Sequence, residues 1–188
     1  MNNVKRCSWC GHNELLISYH DSEWCTVQVH DDKKLFEFMT LEMMQCGLSW
    51  LTVLKKREAM KAAFDGFDPQ IIAEYGDEKI ESLLLNEGVI RSKGKLQAMA
   101  NNARCFLRIA REYGSFDSWL WSMAGEDTPR GCAGGAPMPA ETELSRYISG
   151  ELKKRGFKYM GPVVTYSFMQ AIGMTDDHEE GCFLAGKL

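Results

Sequence analysis

A chain of 188 residues, 45% hydrophobic and 26% charged, has the make-up of a globular protein of one domain or two lobes sharing a core, long enough to bury that core without staples. No apolar run approaches a bilayer span, and Met1 to Arg6 carries charge with no apolar stretch behind it, so no membrane partner and no secretory leader are expected and the cytoplasm is the expected compartment. The net charge of −4 argues against a nucleic-acid binder that is basic overall, and leaves only the local clusters Lys55-Lys56-Arg57, Arg91/Lys93/Lys95 and Lys153-Lys154-Arg155 with Lys158 for such a role.

Most of the chain reads as helix. Asp31-Asp32 is a start signal for a helix over 33–46 that Gly47 ends. Ser49 is placed to cap a second helix from Trp50 to Phe64. Asp65-Gly66-Phe67-Asp68-Pro69 reads as a turn whose last pair opens a short helix. Asp77 is the expected cap of a helix through Ile80, Leu83 and Leu84. The stretch Glu87 to Ser92 interrupts the pattern before a long helix from Lys93 to Tyr113, closed by Gly114. Ser115 opens a short aromatic helix with Phe116, Trp119 and Trp121. Glycine and proline crowd 125–139, which predicts a loop or lid. Helices over 143–155 and 162–172 complete the chain. Sustained period-2 alternation is absent, so the class is all-α.

Histidine and cysteine fall in suggestive places. His20 lies thirteen residues after Cys7, and His178 lies four before Cys182. Two thiolates and two imidazoles make a closed tetrahedral set for zinc, and this set would pin the two ends of the chain together. Cys7-x-x-Cys10 is a competing pair spacing that brings in Cys10 and His12 as rival ligands, and ordinary buried thiols are a third reading. Cys25, Cys46, Cys105 and Cys132 read as core or loop thiols.

Several blocks carry a resemblance. Tyr19-His20-Asp21-x-Glu23-Trp24 is one, and Leu41-Glu42-x-x-Gln45-x-Gly47-Leu48-Ser49-Trp50 followed by Leu54-Lys55-Lys56-Arg57 is a second. Ile90-Arg91-x-x-Gly94-Lys95-x-Gln97-Ala98 with Asn102-Ala103, Leu152 to Lys158, Tyr166 to Ala171, and Asp177-His178-x-x-x-Cys182 complete the series. In this order they resemble the type I DNA-3-methyladenine glycosylases, across nearly all of the chain except 125–139. The resemblance implies the helix-hairpin-helix glycosylase architecture, with a hairpin over 88–94 between two helices. It also implies a single glycosylase domain over 1–188 in two lobes. One is a helical lobe over about 33–120, and the other is a zinc-containing lobe from 1–32 plus 140–188. The ligand set it implies is Cys7, His20, His178 and Cys182, holding one structural zinc and leaving out Cys10 and His12.

Taken without the resemblance, Trp9, Tyr19, Trp24 and Trp50 read as core residues before pocket residues. Glu42 in Met39-Thr40-Leu41-Glu42-Met43-Met44 is either the polar edge of a helix or a buried acceptor. The resemblance implies that Tyr19 and Trp50, with Trp9 and Trp24, line a base pocket in which Glu42 accepts hydrogen bonds from the damaged base. 3-Methyladenine is cationic while attached to its sugar. A carboxylate therefore favours it over neutral adenine, and the reaction needs base flipping, orientation and electrostatics more than a strong acid. The segment 95–105 contains no carboxylate, and no lysine stands out as a Schiff-base nucleophile, so a monofunctional enzyme with water as nucleophile is expected.

Gly47-Leu48 offers a wedge for the gap in the stack, or else a helix stop and a core anchor. Gly88, Arg91, Lys93, Gly94 and Lys95 are the expected phosphate contacts on double-stranded DNA containing alkylated bases. Free 3-methyladenine is the expected product and a monomer the expected state. A zinc-containing DNA-binding module without catalysis is the alternative. The chain departs from the family at Cys25-Thr26-Val27, where glycine and then proline are usual, at Leu16 in place of a common tyrosine, and over 125–139.

Overall fold

The computed structural model describes residues 4–125 and 137–188; residues 126–136 of the expected loop or lid over 125–139 lie outside them. The described residues contain helices and no strand. A 3-10 turn, Ser8–Cys10, precedes α1 (Glu14–Ser22), α2 (Asp32–Gln45) and α3 (Trp50–Ala63). A second 3-10 turn, Asp65–Phe67, leads to the single-turn α4 (Pro69–Ile72), then α5 (Asp77–Leu84), α6 (Lys93–Tyr113), α7 (Phe116–Trp121), α8 (Glu143–Lys154) and α9 (Pro162–Ala171). None of these helices is long and apolar enough to cross a membrane.

The start signals act as expected where an oxygen side chain stands free. Asp31, Ser49, Asp68 and Ser115 accept hydrogen bonds from first-turn N–H groups of α2, α3, α4 and α7. Two readings change. Asp77 is the first residue of α5 rather than its cap, which is Gly76 without a side-chain bond; its carboxylate serves the helix dipole. The chain before residue 31 also holds a helix that pattern reading left unassigned, although Asn13 caps it by accepting from the N–H groups of Leu15 and Leu16.

α2 is the axis of the molecule. Every residue from Leu35 to Met44 is buried, so the helix is enclosed on all sides and has no solvent face of its own. It packs on α3, α6, α7 and α9. α6 is amphipathic and turns Leu96, Met99, Ala103, Phe106 and Ile109 inward. Phe106 stacks on Phe116 at 4.0 Å and meets Phe36 edge-on at 5.3 Å, joining α6, α7 and α2. Asn102 explains its own place in the sequence blocks. Its amide donates to the Lys158 carbonyl at 2.9 Å and accepts from the Lys158 N–H at 2.8 Å, fixing the α8–α9 connection against α6.

The segments flanking the helical body run side by side. Cys25 N–H donates to the Gln170 carbonyl, Val29 N–H to Ile172, and Phe183 N–H to Lys5. These bonds bring Cys7 and His20 to the same place as His178 and Cys182.

Candidate active site and metal cluster

Tyr19 and His20 are neighbours in the last turn of α1, and both are buried. Successive helical side chains diverge by about 100°. One residue therefore faces one cavity and the next faces another, and two distinct sites share a single helix turn.

The first is a cavity of about 350 Å³, at the small end of ligand pockets. Trp9, Tyr19, Trp24, Trp50 and Glu42 line it, with Gln45, Ser167, Gln170 and Glu179 among the remaining lining residues. Trp9 meets Trp24 edge-on at 5.0 Å, and Tyr19 meets Trp50 at 5.0 Å and 54°. The polar atoms of this cage are unsatisfied. Trp9 Nε1, Tyr19 Oη and Trp50 Nε1 are buried with no hydrogen-bond partner among the described residues. A buried donor without an acceptor costs about 1–3 kcal/mol, and three on residues around one cavity suit it to a ligand that carries acceptors.

Glu42 has the same character with the opposite sign. It is 5% exposed, its carboxylate has no partner among the described residues, and burial alone pushes it up to about 8. At neutral pH the empty pocket therefore holds mostly the carboxylic acid, where the sequence suggested a standing carboxylate. A cation placed beside it restores the charged form. Burial, and then Glu42, hold the Tyr19 phenol well above its ordinary range, so it stays a donor.

Glu37, one and a half turns earlier on α2, is buried too and meets a different fate. Arg57 of α3 donates to it at 2.8 Å and grips Glu23 with both terminal nitrogens at 2.7 and 2.8 Å, while Lys34 donates to Glu37 at 3.0 Å. This spends Arg57 on internal ion pairs and removes it from the Lys55-Lys56-Arg57 cluster as a surface charge. Of the two acids buried on α2, only Glu42 is left for a ligand.

The second site is the cluster Cys7, His20, His178 and Cys182, four buried residues whose ligand atoms lie within 4.8 Å of one another. Cys7 Sγ stands 3.5 Å from His178 Nδ1, and Cys182 Sγ stands 3.4 Å from His20 Nε2 and 3.6 Å from His178 Nδ1. Zinc bonds of ordinary length at a tetrahedral angle put sulfur and nitrogen about 3.6 Å apart, so the donor set fits that ion. The outward ring nitrogens are engaged as well. His20 Nδ1 meets Asp21 Oδ1 at 2.8 Å, and His178 Nε2 meets the Cys25 carbonyl at 3.3 Å. Such outer contacts fix which nitrogen faces the centre. Cys10 and His12 are outside the cluster, and His12 is exposed. Cys25 has a φ of 51°, the left-handed region, which accounts for the glycine usual there.

Gly47 ends α2 with a φ of 76°, and Leu48 is 42% exposed, which removes the core-anchor reading of that leucine. Leu48 lines a recess that shares Glu42, Gln45 and Ser167 with the aromatic cavity. The turn 85–92 joins α5 to α6, whose N-cap Ser92 makes no side-chain bond and leaves the first-turn N–H groups uncapped. Arg91, Lys93 and Gly94 are exposed here, and a Cβ on Gly94 would stand 2.9 Å from Tyr159 Oη. Gly88 is half-buried, its N–H on Asn86. Lys95 corrects the expectation for it. It is buried and donates to the Met44 and Cys46 carbonyls at 2.8 and 2.6 Å, tying α6 to the end of α2, so no ammonium is offered to a phosphate.

Sequence reading gave no role to Gln45, Ser167, Gln170 or Glu179. The first three lie inside the quoted blocks, which was the available signal; Glu179 lies in the unspecified interval between His178 and Cys182 and had none.

Comparison with known proteins follows this geometry. The sequence profile described as Methyladenine glycosylase matches residues 9–185. DNA-3-methyladenine glycosylase 1 of Escherichia coli (strain K12) is 43% identical over 180 residues, covering 95% of this chain and 96% of that protein. A crystal structure of a 3-methyladenine DNA glycosylase I superposes with a TM-score of 0.91 at 44% identity, over 96% of this chain and 100% of that one. A structure addressing 3-methyladenine recognition by the Staphylococcus aureus glycosylase superposes with a TM-score of 0.91 at 32% identity, over 98% of each chain.

Proposed function

The chain belongs to the methyladenine glycosylase family, and from that premise we propose how its own residues carry the family's reaction. It is a DNA-3-methyladenine glycosylase, a hydrolase of N-glycosyl bonds that removes 3-methyladenine from alkylated DNA in base excision repair. The single observation that carries the residue-level reading is the set of four unsatisfied polar groups around one aromatic cavity: Glu42, Trp9 Nε1, Tyr19 Oη and Trp50 Nε1.

The flipped base enters that cavity and packs against Trp9, Tyr19, Trp24 and Trp50. Beside the cationic ring the Glu42 carboxyl gives up its proton to solvent, and the carboxylate so formed accepts from the base. Burial strengthens the attraction that a neutral adenine would not feel. The glycosidic bond then breaks with its electron pair passing to the base, which leaves neutral and needs no acid. Water forms the new bond to the sugar carbon and gives its proton to solvent. No lysine is placed to replace water, so the enzyme is monofunctional. Orientation and preorganised electrostatics supply the rate.

Leu48, on the exposed turn beside the pocket, fills the gap left in the duplex, with Gly47 allowing close approach. The α5–α6 connection is the hairpin of a helix-hairpin-helix unit. The uncapped N–H groups at the start of α6, reinforced by Arg91 and Lys93 and approached closely at Gly88 and Gly94, hold a backbone phosphate of double-stranded DNA. Cys7, His20, His178 and Cys182 hold a structural zinc that ties the lobe of 1–32 and 140–188 to itself, beside the helical lobe of 33–120. A closed four-ligand shell supplies fold stability there and no open position for chemistry. The protein acts as a monomer in the cytoplasm.

The deciding experiment incubates the purified protein with N-methylated duplex DNA and measures released bases. Release of 3-methyladenine with intact strands is expected. Tight DNA binding without base release would instead establish the zinc-containing binding module.

A further inference from the structure

Glu179 belongs to both sites. It sits in the chain between His178 and Cys182, and it also lines the aromatic cavity. Its backbone N–H donates to Cys7 Sγ at 3.2 Å. Its carboxylate accepts from the Ser8 N–H at 2.9 Å and from the Ser8 hydroxyl at 2.6 Å. Ser8 opens the 3-10 turn that carries Trp9 into the cavity.

Ring packing on Tyr19, His20 and Trp24 and the burial of Cys7 and Cys10 seat that turn, but its hydrogen bonding is sparse. Cys7 at its N-cap makes no side-chain bond to the turn's own N–H groups, and the turn's backbone bonds, Cys10 N–H to the Cys7 carbonyl and Gly11 N–H to the Ser8 carbonyl, are long at 3.3 and 3.2 Å. A single 3-10 turn with such bonds has weak intrinsic stability. The Trp9 indole N–H adds no hydrogen bond to a described residue. The carboxylate of Glu179 supplies two charge-assisted bonds where the turn lacks them.

We propose that Glu179 is a positioning residue for the base pocket: by clamping Ser8 it fixes the Trp9 ring, and so couples the order of the Cys7/His20/His178/Cys182 cluster to the affinity of the cavity for its base. The inference rests on the pocket reading given above. One end of Glu179 is tied to the cluster through its N–H and the other to the pocket through Ser8. A ring held in place before binding loses less freedom when the base arrives.

The test measures binding of free 3-methyladenine by tryptophan fluorescence and by calorimetry, with metal content and thermal midpoint recorded for each protein. Glu179→Ala should weaken binding about tenfold, with metal content unchanged because the backbone N–H to Cys7 remains. Ser8→Ala removes only the hydroxyl bond and should weaken binding less, in the same direction. In a Trp9→Ala background Glu179→Ala should add no further loss, because its effect passes through that ring. Equal losses with and without Trp9, no loss at all, or a loss that follows metal content would each overturn the proposal. Failure of the unmodified protein to bind 3-methyladenine would overturn the pocket reading itself, a result distinct from the other three.

Discussion

The Cys/His cluster and the aromatic cavity grow from the same turn of α1, and they are opposites in polar bookkeeping. In the cluster every ring nitrogen and each sulfur of the four residues faces a partner, inward to the other donors or outward to Asp21 and Cys25. In the cavity two indole N–H groups, a phenol and a carboxyl have no hydrogen-bond partner among the described residues. Closed sets hold a fold together, whereas open sets cost stability in the empty protein and recover it only from a ligand. The same contrast separates Glu37 from Glu42 on α2: one is locked by Arg57 and Lys34, the other has no partner among the described residues.

If this contrast is correct, the two regions respond differently to substitution. Cys182→Ser should have the largest effect, lowering the unfolding free energy by about 4 kcal/mol and removing bound metal together, because it opens a closed buried set. Calorimetric unfolding with metal analysis checks this, and retention of full metal with unchanged stability would erase the distinction between the two sites. Glu42→Ala should do the reverse. It should leave fold and metal intact while lowering the rate of 3-methyladenine release about a hundredfold in single-turnover assays. Glu42→Gln, which keeps one acceptor, should fall between.

A subtler consequence lies in the pH dependence of stability. The Glu42 carboxyl is raised from its ordinary 4.5 to about 8 in the folded protein. Between those values the folded state binds a proton that the unfolded chain has released. Its contribution is complete below pH 4.5, declines as pH rises, and is gone above about 8. Glu42→Gln abolishes this decline, so the variant should gain on the unmodified protein by at most about 1.4 kcal/mol per pH unit across the window. Denaturant unfolding at pH 5, 6, 7 and 8 measures the difference, and parallel curves would mean that Glu42 is paired after all. The smallest effect is expected outside both regions. Lys93→Glu should weaken duplex binding several-fold on every sequence and lower the salt slope by about 1. Sequence-dependent losses in salt-titrated binding would assign Lys93 to base reading instead.

Much of this was legible in the chain itself. Asp31, Ser49, Ser115 and Gly114 mark helix ends because capping is a contact between a residue and the backbone a few positions away, and such contacts are written locally. α6 was legible over its whole length from its amphipathic period, and the four cluster residues from the ligand set that the resemblance implies, since spacing alone left Cys10 and His12 as rivals. α1 was missed despite Asn13, since the short segment Glu14–Ser22 carries a weak pattern and gains its stability from packing on α3.

The sequence by itself determined the helical class, most helix boundaries and the family. Only the tertiary structure decided which charges remain available. Lys95, Arg57 and Glu37 look like surface charges in the chain and are consumed by internal carbonyls and ion pairs, while Glu42, in an equally apolar setting, lines a cavity with no partner among the described residues. Helical phase cannot distinguish them, because a helix buried on all sides has no polar face. The partner of each acid or base there is a residue distant in the chain, and its identity is fixed only when the helices pack.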